Sequence, residues 1–134
     1  MKLFALAAVL PVLLFAQTKT TGDGVYTAAQ AARGESVYSS KCASCHGPDL
    51  TGDGQASPLA GKDFTSAWND QPLSDFFERI HATMPADAPG SLQPAEVADV
   101  VAFILNRNGM PAGEAELTAE PSAIKGVKFV TPKP

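Results

Sequence analysis

Five consecutive residues, Cys42-Ala43-Ser44-Cys45-His46, concentrate the reactive side chains of this sequence: both cysteines and one of the two histidines lie within them. Thiols three residues apart fall on one face of a helical turn. From there both can add across the two vinyl groups at one edge of a porphyrin. The histidine that follows directly then offers a ring nitrogen to the iron. Cys-x-x-Cys-His is the attachment signature of a c-type haem. The expectation is one covalently bound haem c, anchored by Cys42 and Cys45, with His46 as an axial ligand of its iron. Three other readings compete. A redox dithiol of the thioredoxin kind asks for a βαβ setting, whereas the flanks read as helix and loop. A zinc site asks for four ligands in Cys/His pairs, and the only other histidine is His81. A disulfide across this spacing would constrain very little chain.

Electron transfer through such a haem calls for a second axial ligand, and a thioether opposite histidine raises the potential. Met84, Met110 and His81 are the candidates, since Met1 would leave with an export signal. A methionine is commonly core filling. Met84, however, follows Ala82-Thr83 at the end of an apolar-periodic segment and precedes Pro85 and a Pro/Gly loop that ends at Leu92. That setting suits a ligand better than a core position, so Met84 is the expected ligand. His81 is expected as a partly exposed surface residue.

The elements that must hold these residues read as helices. Thr27 to Ser40 is rich in alanine, with Thr27 as a cap and Gln30 three residues on, as in a capping box. Gly34 interrupts it at a cost in helix propensity, which points to a close contact. Leu73, Phe76, Phe77 and Ile80 recur at helical spacing and predict a helix over 73–83. It stops at Met84 because a residue before proline avoids helical backbone. Val97, Val100, Val101, Ile104 and Leu105 form the apolar side of a helix over 94–106, opened by Pro94 and followed by Gly109. Residues 47–63 read as an irregular loop. Within it, Asp49 to Gly54 looks like the start of a calcium loop, but its twelfth position is Ala60 where glutamate is required, so it reads as a turn. No repeat and no strand are evident. The expected fold class is all-α, three to five helices around one haem.

A chain of 134 residues is expected to form one domain. Lys2 and the apolar run from Leu3 to Phe15 read as an export signal over 1–16, cut after Ala16. The run is shorter than the roughly 20 residues of a spanning helix. Residues 17–24 read as a flexible lead-in, 25–112 as the haem domain, and 113–134 as an extended tail packed on it, anchored by Leu117, Ile124 and Phe129. Export would place the chain in the periplasm, with no stable membrane insertion once the signal is removed. The formal net charge is -4, with no basic run. That argues against nucleic-acid binding and against a polybasic membrane patch. Any electrostatic steering of so acidic a chain would favour a partner with a basic face.

From Gly24 to Leu117 the sequence resembles class I cytochromes c. Gly34 stands eight residues before Cys42 and Tyr38 four before, and Asp99-Val100-Val101-Ala102-Phe103-Ile104 supplies the matching pattern on the last helix. The resemblance implies that the first helix crosses the last, with Gly34 and Tyr38 facing Val100 and Phe103. It implies that the Ser57 carbonyl, at a position where the family has proline, accepts the proton on the second ring nitrogen of His46. It also implies that Trp68 bonds a haem propionate. More narrowly, Gly24 to Thr27, Cys45-His46-Gly47, Pro58 to Gly61, Met84-Pro85, Pro89 to Leu92 and Asn106 to Gly109 resemble cytochromes that serve periplasmic quinoprotein (PQQ) alcohol dehydrogenases. The implied protein is an electron carrier and not itself an enzyme. Its iron would cycle between Fe(II) and Fe(III) with His46 and Met84 as ligands. Its implied redox partners are a quinoprotein dehydrogenase as donor and an oxidase or another cytochrome as acceptor. The alternative is a haem enzyme or gas sensor with an open sixth coordination position.

Overall fold

The computed structural model describes residues 17–132, so the expected export signal over 1–16 lies outside them. Among the described residues the regular structure is helical: α1 (Ala28–Lys41), α2 (Ala43–His46), α3 (Lys62–Trp68), α4 (Leu73–Thr83), α5 (Pro94–Arg107) and α6 (Pro121–Ile124), with a 3-10 turn at Thr21–Asp23. Two of the six are single turns. The only β pairing among the described residues is a pair of isolated bridges from Lys128 to Thr20 and to Pro72. The architecture is the all-α one expected.

The crossing of α1 over α5 is the most extensive helix pairing. Gly34 is what lets it close: a Cβ there would run into the carbonyl of Asp99 and come within 2.9 Å of the Phe103 Cβ. Glycine lets two backbones approach where any side chain would hold them apart. One turn on, the Tyr38 ring packs on Phe103 with centroids 5.2 Å apart. Phe103 thus meets both residues expected of it. Val100 does not supply the atoms nearest Gly34, which belong to Asp99 and Phe103. It is buried and lines the central cavity instead.

Thr27 caps α1, its hydroxyl accepting from the Gln30 N–H at 3.1 Å. Gln30 does not complete the expected box. Its side chain is buried and pairs twice with the backbone of Leu117, donating from Nε2 to the carbonyl at 2.9 Å and accepting the N–H at 2.7 Å. The two residues are 87 apart, so no local rule could have supplied this partner. A buried amide meeting both halves of a peptide group leaves little unsatisfied, and such groups are costly to orphan.

The two ends of the described segment hold each other. The lead-in is not free along its second half: Thr21 is fully buried, and its N–H donates to the Lys128 carbonyl at 2.9 Å. The Thr20 hydroxyl accepts from the Gly22 N–H, and Asp23 accepts in turn from the Thr20 N–H at 2.7 Å. Capping residues of this kind satisfy the donors that open a helical turn, and here they make residues 20–23 an ordered turn. The C-terminal segment is wound into the core, with Leu117, Ile124 and Phe129 buried. The first residue of α4, Leu73, has no side-chain cap and donates its N–H to the Val127 carbonyl at 2.8 Å. One of the orphan donors of a helix start is thereby met from a distant segment. Phe129 stands edge-on to Phe64 at 5.8 Å and to Phe76 at 6.2 Å, and Trp68 meets Phe76 at 4.8 Å. This aromatic group backs one wall of the cavity. Helix α3, which carries Phe64 and Trp68, begins inside the stretch expected as loop.

Two buried tyrosine hydroxyls tie the fold to a pH range. Tyr38 donates to the Gly47 carbonyl and Tyr26 to the Met110 carbonyl, each at 2.6 Å. Burial raises both above the ordinary phenol value, Tyr38 to about 12. The unfolded chain ionises first as pH rises, because its tyrosines titrate near pH 10. The stability these groups contribute is therefore intact below about pH 10 and is lost as pH climbs toward about 12. Denaturant midpoints should hold to about pH 9.5 and then fall, and Tyr38→Phe should flatten part of that fall.

Candidate haem site

Helix α1 ends where the pentapeptide begins. Cys42 leaves helical geometry, and α2 restarts at Ala43 as a single turn, with the N–H groups of Cys45 and His46 both donating to the Cys42 carbonyl at 3.1 and 2.9 Å. The turn sets both thiols and the imidazole on the lining of one cavity of about 1090 Å3. The thiols are not joined to each other. Cys42 is the more enclosed, and burial pushes its thiol up to about 11. It is therefore neutral at physiological pH, which disfavours its oxidation toward a disulfide, a reaction that runs through thiolate.

His46 is held at ring and backbone. Its Nδ1–H donates to the Ser57 carbonyl at 2.8 Å, which leaves Nε2 as the lone-pair nitrogen. A partner of this kind fixes the tautomer and orientation of a metal-binding histidine. The His46 carbonyl accepts the Gly52 N–H at 2.8 Å. The loop presenting Ser57 is clamped by Asn108, which caps the end of α5. That amide donates to the carbonyls of Leu59 and Ile104 at 2.9 and 2.8 Å and accepts the Gly61 N–H at 3.0 Å. Sequence reasoning gave Asn108 no structural role, naming it only within the Asn106 to Gly109 resemblance. An asparagine directly before a helix-ending glycine was the available signal, but its partners lie 47 and 49 residues away. Asn108→Ala should lower unfolding stability by about 1–3 kcal/mol, the usual cost of orphaning part-buried polar groups. Asn108→Asp should recover only part, since it keeps the acceptor for Gly61 and loses both donors.

The three candidates for the second ligand separate clearly. Met84 lies on the cavity lining, at the C-cap of α4, with its N–H donating to the Ile80 carbonyl at 2.9 Å. Met110 is 3% exposed and does not line the cavity. His81 is half-buried, off the lining, 6.3 Å from the Phe77 ring. Trp68 does line the cavity, half-buried, with the Arg79 guanidinium over its ring at 5.9 Å. Arg79, absent from the sequence expectations, is on the lining too. Asp49 and Asp53 are turn residues: Asp49 accepts from the hydroxyl and N–H of Thr51, which hold it below the usual carboxylate range, and Asp53 accepts from the Gln55 N–H. Among the described residues no group of three or more His, Cys, Asp or Glu side chains could hold a free metal ion.

The residues fit a haem. The walls are apolar, from Leu59, Phe64, Phe76, Ile80, Val100 and Ile104. The lining offers two thiols three residues apart, and the donor set is an oriented imidazole nitrogen and a thioether. The volume exceeds that of ordinary small-molecule pockets, roughly 300–1,000 Å3, as a porphyrin requires.

A helical shell around a cavity of this size, with Cys-x-x-Cys-His on its lining, defines a monohaem c-type cytochrome: an electron-transfer protein with covalently attached haem c, working with redox partner proteins. More narrowly, the family model described as cytochrome c oxidase, cbb3-type, subunit III matches residues 29–104, and the chain belongs to that family. No curated protein and no solved structure matches it. The family match ends at residue 104, so Leu117 and Phe129 lie outside it, although their partners Gln30, Phe64 and Phe76 lie within it.

Proposed function

We propose that this chain is an exported, periplasmic one-electron carrier that accepts electrons from a dehydrogenase and passes them to a respiratory acceptor. The observation that carries this reading is that Met84 shares the cavity lining with Cys42, Cys45 and His46, whereas Met110 and His81 do not. His46 and Met84 are the proposed axial ligands, and Trp68 the proposed donor to a propionate. When bound, the haem supplies one-electron cycling between Fe(II) and Fe(III). The residues of the chain do the rest. Ser57 holds the imidazole in its ligating tautomer, Met84 would occupy the position otherwise open to a substrate or gas, and the apolar walls would limit water at the iron. A filled position makes the chain a carrier and not a catalyst. The resemblance to cytochromes of quinoprotein alcohol dehydrogenases supports such an enzyme as donor. The oxidase subunit in the family's description is in keeping with a respiratory acceptor. No helix among the described residues is long and apolar enough to cross a membrane. The apolar run over residues 1–16 supports export.

Intact mass spectrometry of protein made in a host that matures c-type haem tests this directly. One haem of added mass and an N-terminus at Gln17 are expected. An unmodified mass from a competent host would overturn the reading. Ready binding of carbon monoxide by the reduced protein would favour the open-iron enzyme or sensor instead.

A further inference from the structure

We propose that residues 127–131 form a clasp that holds Trp68 on the wall of the haem cavity, with Phe129 and Thr131 as its positioning residues. The inference rests on the proposed contact between Trp68 and the haem, and names what keeps that side chain in place. Trp68 is the last residue of α3, a helix of seven residues with no side-chain cap at its start. An isolated helix shorter than about 12 residues is marginal in water, so α3 depends on what packs against it. The backbone that follows carries a cost of its own. Asp70 has a φ of 65°, in the left-handed region that residues with a Cβ rarely adopt. Such backbone persists where its surroundings hold it.

The C-terminal segment supplies those surroundings. The Asp70 N–H donates to the Phe129 carbonyl at 2.8 Å, and the Lys128 ammonium donates to the Asp70 carbonyl at 2.9 Å. The Phe129 N–H returns to the Gln71 carbonyl at 2.9 Å. The Thr131 N–H donates to the Asn69 side-chain oxygen at 2.9 Å, and its hydroxyl lies between that oxygen at 3.1 Å and the Thr65 carbonyl at 3.3 Å. Backbone before and after Trp68 is thus tied to one stretch of five residues. The Phe129 ring is fully buried and stands edge-on to Phe64 of α3 and to Phe76, the ring on which Trp68 packs. Edge-to-face aromatic pairs have a preferred geometry, so this ring sets where Phe76 and Trp68 lie. The stretch is itself anchored from behind, with the Val130 N–H donating to the hydroxyl of the buried Thr21 at 3.0 Å. Trp68 falls within the family match over residues 29–104, whereas the clasp lies beyond it.

The chain has one tryptophan, so its emission reports this position alone. In the ferric holo-protein that emission should be quenched by energy transfer to the haem beside it. Phe129→Ala should raise the emission several-fold and shift it to the red while the far-ultraviolet circular dichroism stays helical. Leu117→Ala is the matched control. It truncates another buried side chain of the C-terminal segment, one whose backbone pairs with Gln30 of α1 and not with α3. Both variants lose stability, but Leu117→Ala should keep the parent emission. Potentiometry adds a second readout. A loosened Trp68 admits water to the cavity, and burial is one of the levers on the potential, so the potential should fall in Phe129→Ala and hold in Leu117→Ala. Phe129→Leu keeps most of the volume and hence the fold, but loses the edge-on contacts, and should show part of the rise. Thr131→Val, at an exposed position, removes only the hydroxyl bonds and should do the same. These two variants decide the question if Phe129→Ala fails to fold. Emission and potential in both that match Leu117→Ala would overturn the clasp. Unquenched emission in the parent holo-protein would overturn the contact between Trp68 and the haem itself, an outcome distinct from variants that merely match the control.

Discussion

Replacing Met84 with alanine is expected to abolish the weak sulfur-to-iron absorption at the red end of the oxidised spectrum and to lower the reduction potential by on the order of 0.1 V or more. A thioether favours Fe(II), so its loss favours Fe(III). In a one-electron couple each 59 mV is a tenfold change in the equilibrium constant. The helical fold should survive. Met84 is partly buried, and what holds the end of α4 is its backbone N–H on the Ile80 carbonyl, which alanine keeps. Met110→Ala is the control with the opposite signature. That side chain is buried in the core, so truncation should cost about 2–5 kcal/mol of stability and leave the band in place. Visible spectroscopy and potentiometry on the two variants separate ligand from core filler. An unchanged band and potential in Met84→Ala would assign the sixth position to another residue.

Gly34→Ala should destabilise the protein by about 3 kcal/mol or more, a large part of the 5–15 kcal/mol that holds a typical domain together. Overpacking a core commonly costs about 1–3 kcal/mol when flexible side chains can move aside. Here the added methyl meets the backbone carbonyl of Asp99, which can yield only if α1 and α5 separate. Separation would also part Tyr38 from Phe103 and disturb the Gly47 carbonyl that Tyr38 holds one residue beyond His46. Loss of stability should therefore come with poor haem incorporation. Gly126→Ala is the matched control, since a Cβ there meets nothing within 4 Å. Denaturant unfolding and haem yield should leave Gly126→Ala near the parent protein and Gly34→Ala well below it. Equal behaviour of the two would show that the crossing has slack the geometry does not suggest.

Much of the site was legible because its chemistry is local. Cys42, Cys45 and His46 lie within one turn, so spacing alone brings two thiols and an imidazole together. The limits of α4 and α5 followed from apolar periodicity and from proline, both properties of neighbouring residues. The Ser57 carbonyl was anticipated from the resemblance, and it survives the change from proline because a backbone acceptor does not depend on the side chain that carries it. Other parts were not legible. Helix α3 lies in a stretch punctuated by Gly, Pro and Asp, and Phe64 and Trp68 gain their helical setting from Phe76 and Phe129. Gln30 reads locally as the second half of a cap, but its amide is drawn to Leu117.

By itself the sequence determined the kind of cofactor, the clustering of two thiols and an imidazole, and the helices that flank them, because those depend on side-chain type and on separations of a few residues. Only the tertiary structure decided how Asn108 clamps the loop behind His46 and how the C-terminal segment closes the aromatic wall. Each of these depends on groups tens of residues apart being brought within a few ångströms, and a linear pattern carries no record of that distance until the chain has folded.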